Sequence, residues 1–341
     1  MQQRHLIPLA SATAVLVALA IVALAIGDRS VSRAAPGQSA FPALAGKLGE
    51  VALVSVSRNG STMTFIRDGD GWLAKEKGDY PANAGKITQI VRAMADLTLV
   101  EPKTRKPDLY PRLEVEDPGK GKSALVTVKD KSGAVLAEVI VGKQRYDRLG
   151  GGNDGVYLRK PGEAQAWLAR GSLDPSGEPS SWLDRQILDI SEKKIAKVVL
   201  TQPDGAKLVI SRATPEAKFA VEDAPADAKF KSESTTSGPA TAFETLDLDD
   251  VKPAAELAVP DKDVVDASLT TFDGLTVDVR LVERDKTNWV AISAAGSGAP
   301  AEAEAKKIED KVRRWTYAIP KYKADLLKTK LADLIEPPKA S

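Results

Sequence analysis

Three groups of residues in this 341-residue chain are of the types that chemistry uses. The first, Gly119-Lys120-Gly121-Lys122-Ser123, has the look of a phosphate-binding loop. A P-loop needs a glycine five positions before Gly121 and a helix after its serine, so that backbone N–H groups and a helix N-terminus meet the phosphates. Position 116 is instead Glu116, and Ala124-Leu125-Val126-Thr127-Val128 reads as a strand. The run is therefore read as a solvated turn. The second group is the stretch from Lys143 to Gly155, where Arg145, Tyr146, Arg148 and Asn153 stand among four glycines. Guanidinium and phenol groups at that density can clamp an anion or a partner's loop, while the plainer reading is a long hairpin connection. These four residues are the candidate contact site. The third group is the carboxylate pairs Glu114/Glu116, Asp249/Asp250 and Asp261/Asp263. Glycosidic chemistry needs two carboxylates facing each other across a cleft, and calcium needs a longer ligand loop. Neither pattern is present, so the pairs are read as solvated turns.

Cysteine is absent and the single histidine is His5. The body after residue 27 therefore has no Ser-His or Cys-His pair, no thiolate or imidazole metal ligand and no disulfide. No enzymatic activity, cofactor or metal is expected. The 48 basic and 47 acidic residues are mixed along the chain without a basic stripe, and aromatics make up only 5%. Nucleic acid is therefore not an expected partner.

Those groups must be positioned by something, and the chain begins with a membrane signal. Ile7 to Ile26 is twenty residues without a charge, long enough to cross a hydrocarbon core of about 30 Å as a helix. This exceeds the apolar core of a secretory signal, which favours an uncleaved anchor in the lipid bilayer over a cleaved leader. Arg4 precedes the run while Arg29 and Arg33 follow it, so the positive-inside count is nearly even. A body on the outer side is expected, because long domains translocate regardless of such charges. Residues 28–47 are small, polar and proline-containing and read as a flexible stalk.

The body alternates as a meander does. Val51 to Val56, the turn Asn59-Gly60 and Met63 to Arg67 read as a hairpin, with Trp72-Leu73-Ala74 as a third strand. Asn83 then caps a helix with Ile87, Ile90, Val91, Met94 and Leu97 on one face, ended by Pro102 and Pro107. A second hairpin joins Ala124–Val128 to Val135–Val141, and Val156–Arg159 is a further strand. Gln165–Ala169 reads as one or two helical turns and Trp182–Leu188 as a short helix. The first order returns at Lys197–Leu200, Lys207–Ile210 and Lys218–Val221, with residues 239–251 in the place of the helix. A weaker third echo covers 268–292. The stretch 294–304 reads as a linker or exposed loop. Ile308, Val312 and Trp315 share one helix face, and Leu326, Leu327, Leu331 and Leu334 begin another helix. The expected fold is α+β: a single N-terminal transmembrane helix followed by tandem antiparallel β-meander-plus-helix repeats. Its boundaries fall at 1–27 (anchor), 28–47 (stalk), 48–190 (first module), 191–293 (second module with the partial third repeat) and 294–341 (linker and C-terminal helices).

Four motifs in order carry a resemblance: Trp72-Leu73, Pro81-Ala82-Asn83, Val141-Gly142-Lys143 and Tyr157-Leu158-Arg159, with Ser181-Trp182-Leu183-Asp184 after them. Over roughly residues 48–335 the chain resembles the bacterial membrane-anchored proteins grouped as domain of unknown function 4340. Leu109-Tyr110-Pro111-Arg112 departs from that family's usual Tyr-Gly-Leu turn. The family has no established activity, and its members are often encoded beside gliding-motility-type ABC transporter subunits. The resemblance therefore implies a non-enzymatic accessory protein, held in a bacterial inner membrane by a single pass, with a periplasmic body and ABC-type transporter membrane subunits as partners. The other reading kept open is a periplasmic module binding a glycan or lipid between the repeats.

Overall fold

The computed structural model describes residues 35–146, 154–175 and 177–336. The expected membrane helix at 7–26 lies outside them. Among the described residues no helix is long and apolar enough to cross a membrane.

The chain enters through the short helix α1 (Pro42–Ala45), then forms strands β1 (Val51–Arg58), β2 (Ser61–Asp68), β3 (Gly71–Ala74) and β4 (Tyr80–Pro81). Helix α2 (Ala84–Asp96), strand β5 (Thr98–Thr104) and the single-turn helix α3 (Tyr110–Leu113) follow. A second meander of β6 (Ala124–Asp130), β7 (Val135–Arg145), β8 (Gly155–Arg159) and β9 (Ala166–Arg170) completes the first half. After β10 (Gln186–Leu188), the second half runs β11 (Ile195–Thr201), β12 (Lys207–Ser211), β13 (Ala220–Val221), α4 (Glu233–Thr241), β14 (Leu246–Asp247) and β15 (Asp250–Pro253). It ends with β16 (Val265–Thr271), β17 (Leu275–Arg284), β18 (Thr287–Gly296), α5 (Ala299–Val312), β19 (Trp315–Ile319), α6 (Lys321–Leu327) and α7 (Leu331–Leu334). The architecture is mixed α and β, mostly antiparallel sheets with a few helices.

The two large sheets have one plan. The first is ordered β4-β3-β2-β1-β6-β7-β8-β9-β5 and the second β13-β12-β11-β16-β17-β18-β19-β15. Without β4, the orders correspond strand for strand. The match extends to an irregularity in pairing: β1 shifts register on β6 between Val51 and Leu53, and β11 shifts on β16 between Ile195 and Lys197. It extends also to a cation over an aromatic ring, Arg67 on Trp72 at 6.0 Å and Arg212 on Phe219 at 4.4 Å. The third echo in the sequence is thus not the start of another repeat. Residues 265–319 are the second meander of the second half, the counterpart of β6–β9.

Local sequence explains most elements. Asn59 and Gly60 both take positive φ in the two-residue β1–β2 turn, matching the right-handed strand twist. The Asn83 side chain accepts the Lys86 N–H at 3.0 Å, and Ile87, Ile90, Val91 and Met94 are buried beneath α2.

Seven local readings are corrected. Helix α2 stops at Asp96, before Pro102, because Leu97 is already extended and the chain enters β5. Gln165–Ala169 is no helical turn: Ala166–Ala169 are buried on both faces of β9, and a continuous apolar run has no period to tell strand from helix. Trp182–Leu188 splits into a 3-10 turn at Pro179–Trp182 and strand β10. The second half's helix is Glu233–Thr241, capped by Ser232, while Leu246 and Val251 belong to strands. The small residues of 294–304 are no linker but a close contact. A Cβ on Gly296 would lie 2.3 Å from the Ala301 backbone, so α5 packs directly against β18, with Ala301 and Ala305 buried. Trp315 accordingly opens β19, and the last helix is two, α6 and α7. Finally, the stalk read at 28–47 is tied down where it is described. Gly37 donates to the Leu99 carbonyl at 2.7 Å, Ala40 donates to Leu97 at 2.8 Å, and Phe41 and Leu44 are in the core.

The halves meet where two of the sequence motifs pair. Asn83 donates its backbone N–H to Trp182 at 2.8 Å, and Asp184 donates to Pro81 at 2.9 Å, around an antiparallel bridge between Ala82 and Leu183. Trp182 stacks on Phe65 with ring centroids 5.4 Å apart. Lys77 forms an ion pair of 2.5 Å with Asp250 of the second half. Tyr80 meets Trp315 and Tyr317 edge-on, with centroids at 5.0 and 6.1 Å, and its hydroxyl donates to the Asp184 carbonyl at 3.0 Å. One continuous core runs through both halves.

Burial pushes the phenol pKa values of Tyr80 and Tyr317 well above that of a free tyrosine. Unfolded tyrosines release protons above about pH 10 while these two hold theirs. The stability they contribute is therefore complete below pH 10 and falls as pH rises above it. Denaturant unfolding followed from pH 9 to 11 should show this fall. Y317F should flatten the slope by about 1.4 kcal/mol per pH unit, one proton's worth.

Candidate functional site

The candidate contact residues emerge from the end of β7. Arg145 is its last residue, paired with Gly155, and Tyr146 follows it, 71% exposed. Arg148 and Asn153 lie outside the described residues. Tyr146 lines a cleft of about 300 Å³ with Arg58, Glu114, Lys122, Lys143 and Asp174. A neighbouring cleft of about 510 Å³ is lined by Asn59, Met63, Pro179 and Trp182 among others. Arg58 and Pro175 belong to both. The floor is a row across the sheet, because Arg58 pairs with Ser61 on β2 and with Ala124 on β6, and Ala124 pairs with Val141 on β7.

Two of the family-like motifs build the rim. At Val141-Gly142-Lys143 the β7–β8 pairing shifts register. A Cβ on Gly142 would lie 2.3 Å from the Leu113 carbonyl, so the missing side chain lets residues 113–115 cross β7. Arg159 then fastens that segment. It is buried, and its Nε donates to the Val115 carbonyl at 2.9 Å. One of its terminal nitrogens donates to the Glu163 carbonyl at 3.2 Å, the other to Asp117 Oδ1 at 2.6 Å. Its guanidinium also lies 4.5 Å from the centre of the Tyr110 ring. The hydrogen bond from Arg159 holds the Asp117 carboxyl below its ordinary pKa. Tyr110, Val115, Ile140 and Ala166 form a small second core under this strap. Glu114, in the left-handed conformation with φ 58°, is thereby set on the cleft's rim.

Arg58 is the residue that sequence reasoning missed. It is half-buried, and its side chain makes no hydrogen bond or ion pair with any described residue. A guanidinium in that state is a planar fork of donors suited to a carboxylate or phosphate, and Lys122 and Lys143 add positive charge beside it. The local signal was only that Arg58 precedes the Asn59-Gly60 turn. Its neighbours Lys122 and Lys143 arrive through the pairing of β1 with β6, a contact over some seventy positions that no local pattern reveals.

The other candidates take structural places. Gly119–Ser123 is a turn that leads into β6, as its sequence implied, with Ser123 donating to the Glu116 carbonyl at 2.8 Å. Asp250 is engaged by Lys77, and Asp261 by Arg280 at 2.6 Å. Trp72, Trp167, Trp182, Trp289 and Trp315 are all buried in the packing. Among the described residues no group of histidine, cysteine or carboxylate side chains could hold a metal ion.

The described residues thus form a duplicated body of two large antiparallel sheets, joined by motif pairing and bearing a shallow, polar, cation-lined cleft. The profile of one protein family matches residues 72–258, more than half of the chain, and the chain belongs to that family, described as domain of unknown function (DUF4340). The matched span runs from β3 to just beyond β15. It is narrower than the resemblance in the sequence, but it contains every motif quoted for it. No curated protein matches the chain.

Replacing Arg159 leaves the Val115 and Glu163 carbonyls without their donor and frees the strap. R159Q should destabilise the protein by about 3 kcal/mol in equilibrium denaturation.

Proposed function

We propose that this is a non-enzymatic accessory protein of a bacterial inner membrane, anchored by residues 7–26, whose periplasmic body docks on membrane subunits of an ABC-type transporter. The observation that carries the docking is Tyr146: a large side chain 71% exposed at the mouth of a cleft, with Arg145 beside it and Lys122 and Lys143 on the lining. Exposed tyrosine and arginine are the side chains that most often become anchors when a partner covers them. The charge-free run at 7–26 supports the membrane location, and the gene neighbourhood typical of the family supports the class of partner.

The test is affinity recovery of the tagged full-length protein from its native membrane in mild detergent. Stoichiometric transporter subunits are expected with the wild type. R145A/Y146A should lower their recovery by about tenfold or more, while the distant E216A leaves it unchanged. Recovery of the wild type alone would overturn the docking role.

Arg58 favours a second reading, a ligand-binding module for an anionic group such as the carboxylate or phosphate of a glycan or lipid. Titration with inorganic phosphate or a simple dicarboxylate should then raise the melting temperature saturably, and R58Q should abolish the rise. An unchanged melting temperature in the wild type would remove this reading.

A further inference from the structure

We propose that the β5 edge of the first sheet is the face the body turns to the membrane, where it meets anionic phospholipid headgroups. This rests on the reading of residues 7–26 as an anchor.

The first observation is where the chain joins the fold. Gln38 accepts the Leu99 N–H at 2.9 Å, Gly37 donates to the Leu99 carbonyl, and Ser39 bridges Thr98. The chain therefore meets the body at the edge strand β5. Only ten residues, 27–36, separate that point from the apolar run. Even fully extended they would reach no more than about 36 Å. An orientation with β5 pointing away from the bilayer would have to span a body that, for a compact chain of this length, is about 50 Å across, which ten residues cannot do.

The second observation is charge. Between Thr98 and Arg112 stand four cations, Lys103, Arg105, Lys106 and Arg112, against two acids, Glu101 and Asp108, in a chain whose net charge is +1. Lys103 pairs with Glu101 at 2.6 Å, and Arg105 donates to Gln165 at 2.8 Å. The side chains of Lys106 and Arg112 are exposed and make no hydrogen bond or ion pair with any described residue. Cations held within a Debye length of an anionic leaflet are attracted to it. The third observation is the opposite pole. The β4 side of the first sheet abuts the β15 side of the second through Lys77 and Asp250. Along the strand order β5 is thus one extremity and β13 the other.

Because the chain has no cysteine, a single dye can be placed anywhere. The full-length protein is reconstituted into vesicles of phosphatidylcholine with or without phosphatidylglycerol, carrying a headgroup acceptor dye. Donors are attached through D108C, near β5, or E216C, between β12 and β13. Transfer should be several-fold greater from position 108 than from 216. Phosphatidylglycerol should increase it at 108, and K103Q/R105Q/K106Q/R112Q should abolish that increase. Equal transfer from both positions, or more from 216, would overturn the orientation. Strong transfer at 108 that ignores lipid charge would overturn the headgroup contact and assign that face to a protein. Flotation of the same samples separates the two levels: protein that does not float with vesicles refutes the anchor itself, and this inference with it.

Discussion

Two backbone hydrogen bonds, from Asn83 to Trp182 and from Asp184 to Pro81, fasten the first half to the segment that leads into the second. They form where a strand end and a connecting segment more than ninety positions apart lie antiparallel. The side chains of those same residues complete the joint. Asn83 caps α2, Trp182 stacks on Phe65, and Ala82 leaves room for the bridge to Leu183. Tyr80, one residue earlier, carries the contact into β19 through Trp315 and Tyr317. Buried backbone groups must be paired, and here the pairing that satisfies them also fixes how one sheet stands against the other.

The duplicated plan has been used differently on its two sides. In the first half, the outer face of the sheet is covered by residues 107–117, and the buried Arg159 ties that cover down with two hydrogen bonds, to Val115 and Asp117. Arg159 faces Ile140 across the β7–β8 ladder, and the corresponding pair in the second half is Ala291 with Arg280. No buried cation stands there. Arg280 reaches outward to Asp261 instead, and that face remains open. In return, the second half inserts α5 between β18 and β19, where the first half has only a short turn. One arrangement of strands thus supports a strapped face in one half and a helix-backed one in the other.

Much of this was legible in the residues, and the failures have physical causes. Hairpins read correctly where a turn such as Asn59-Gly60 punctuated alternating runs, and α2 read correctly because its cap and its apolar stripe agreed. Strand β9 did not, since Ala166–Ala169 are buried on both faces and carry no alternation. The alanines near 300 resembled a loop because small residues serve close packing as well as they serve flexibility. Of the candidate site, Arg145 and Tyr146 were visible as a cluster in the sequence. Arg58, Lys122 and Glu114 were not, because the pairing of β1 with β6 and the crossing at Gly142 bring them together from three separate stretches.

The first pairing the described chain makes, at residues 37–40, closes part of an otherwise open strand edge. An unpaired edge is a template on which another chain can add a strand. β5 carries the exposed Val100 beside Pro102, whose ring denies an incoming strand one donor. The segment that leads away from the apolar run therefore also acts as a guard against self-association. A body trimmed beyond residue 40 would lose that guard, along with the apolar plug of Phe41 and Leu44 if cut further. Where the body is cut thus bears on whether that edge is left open to a second chain.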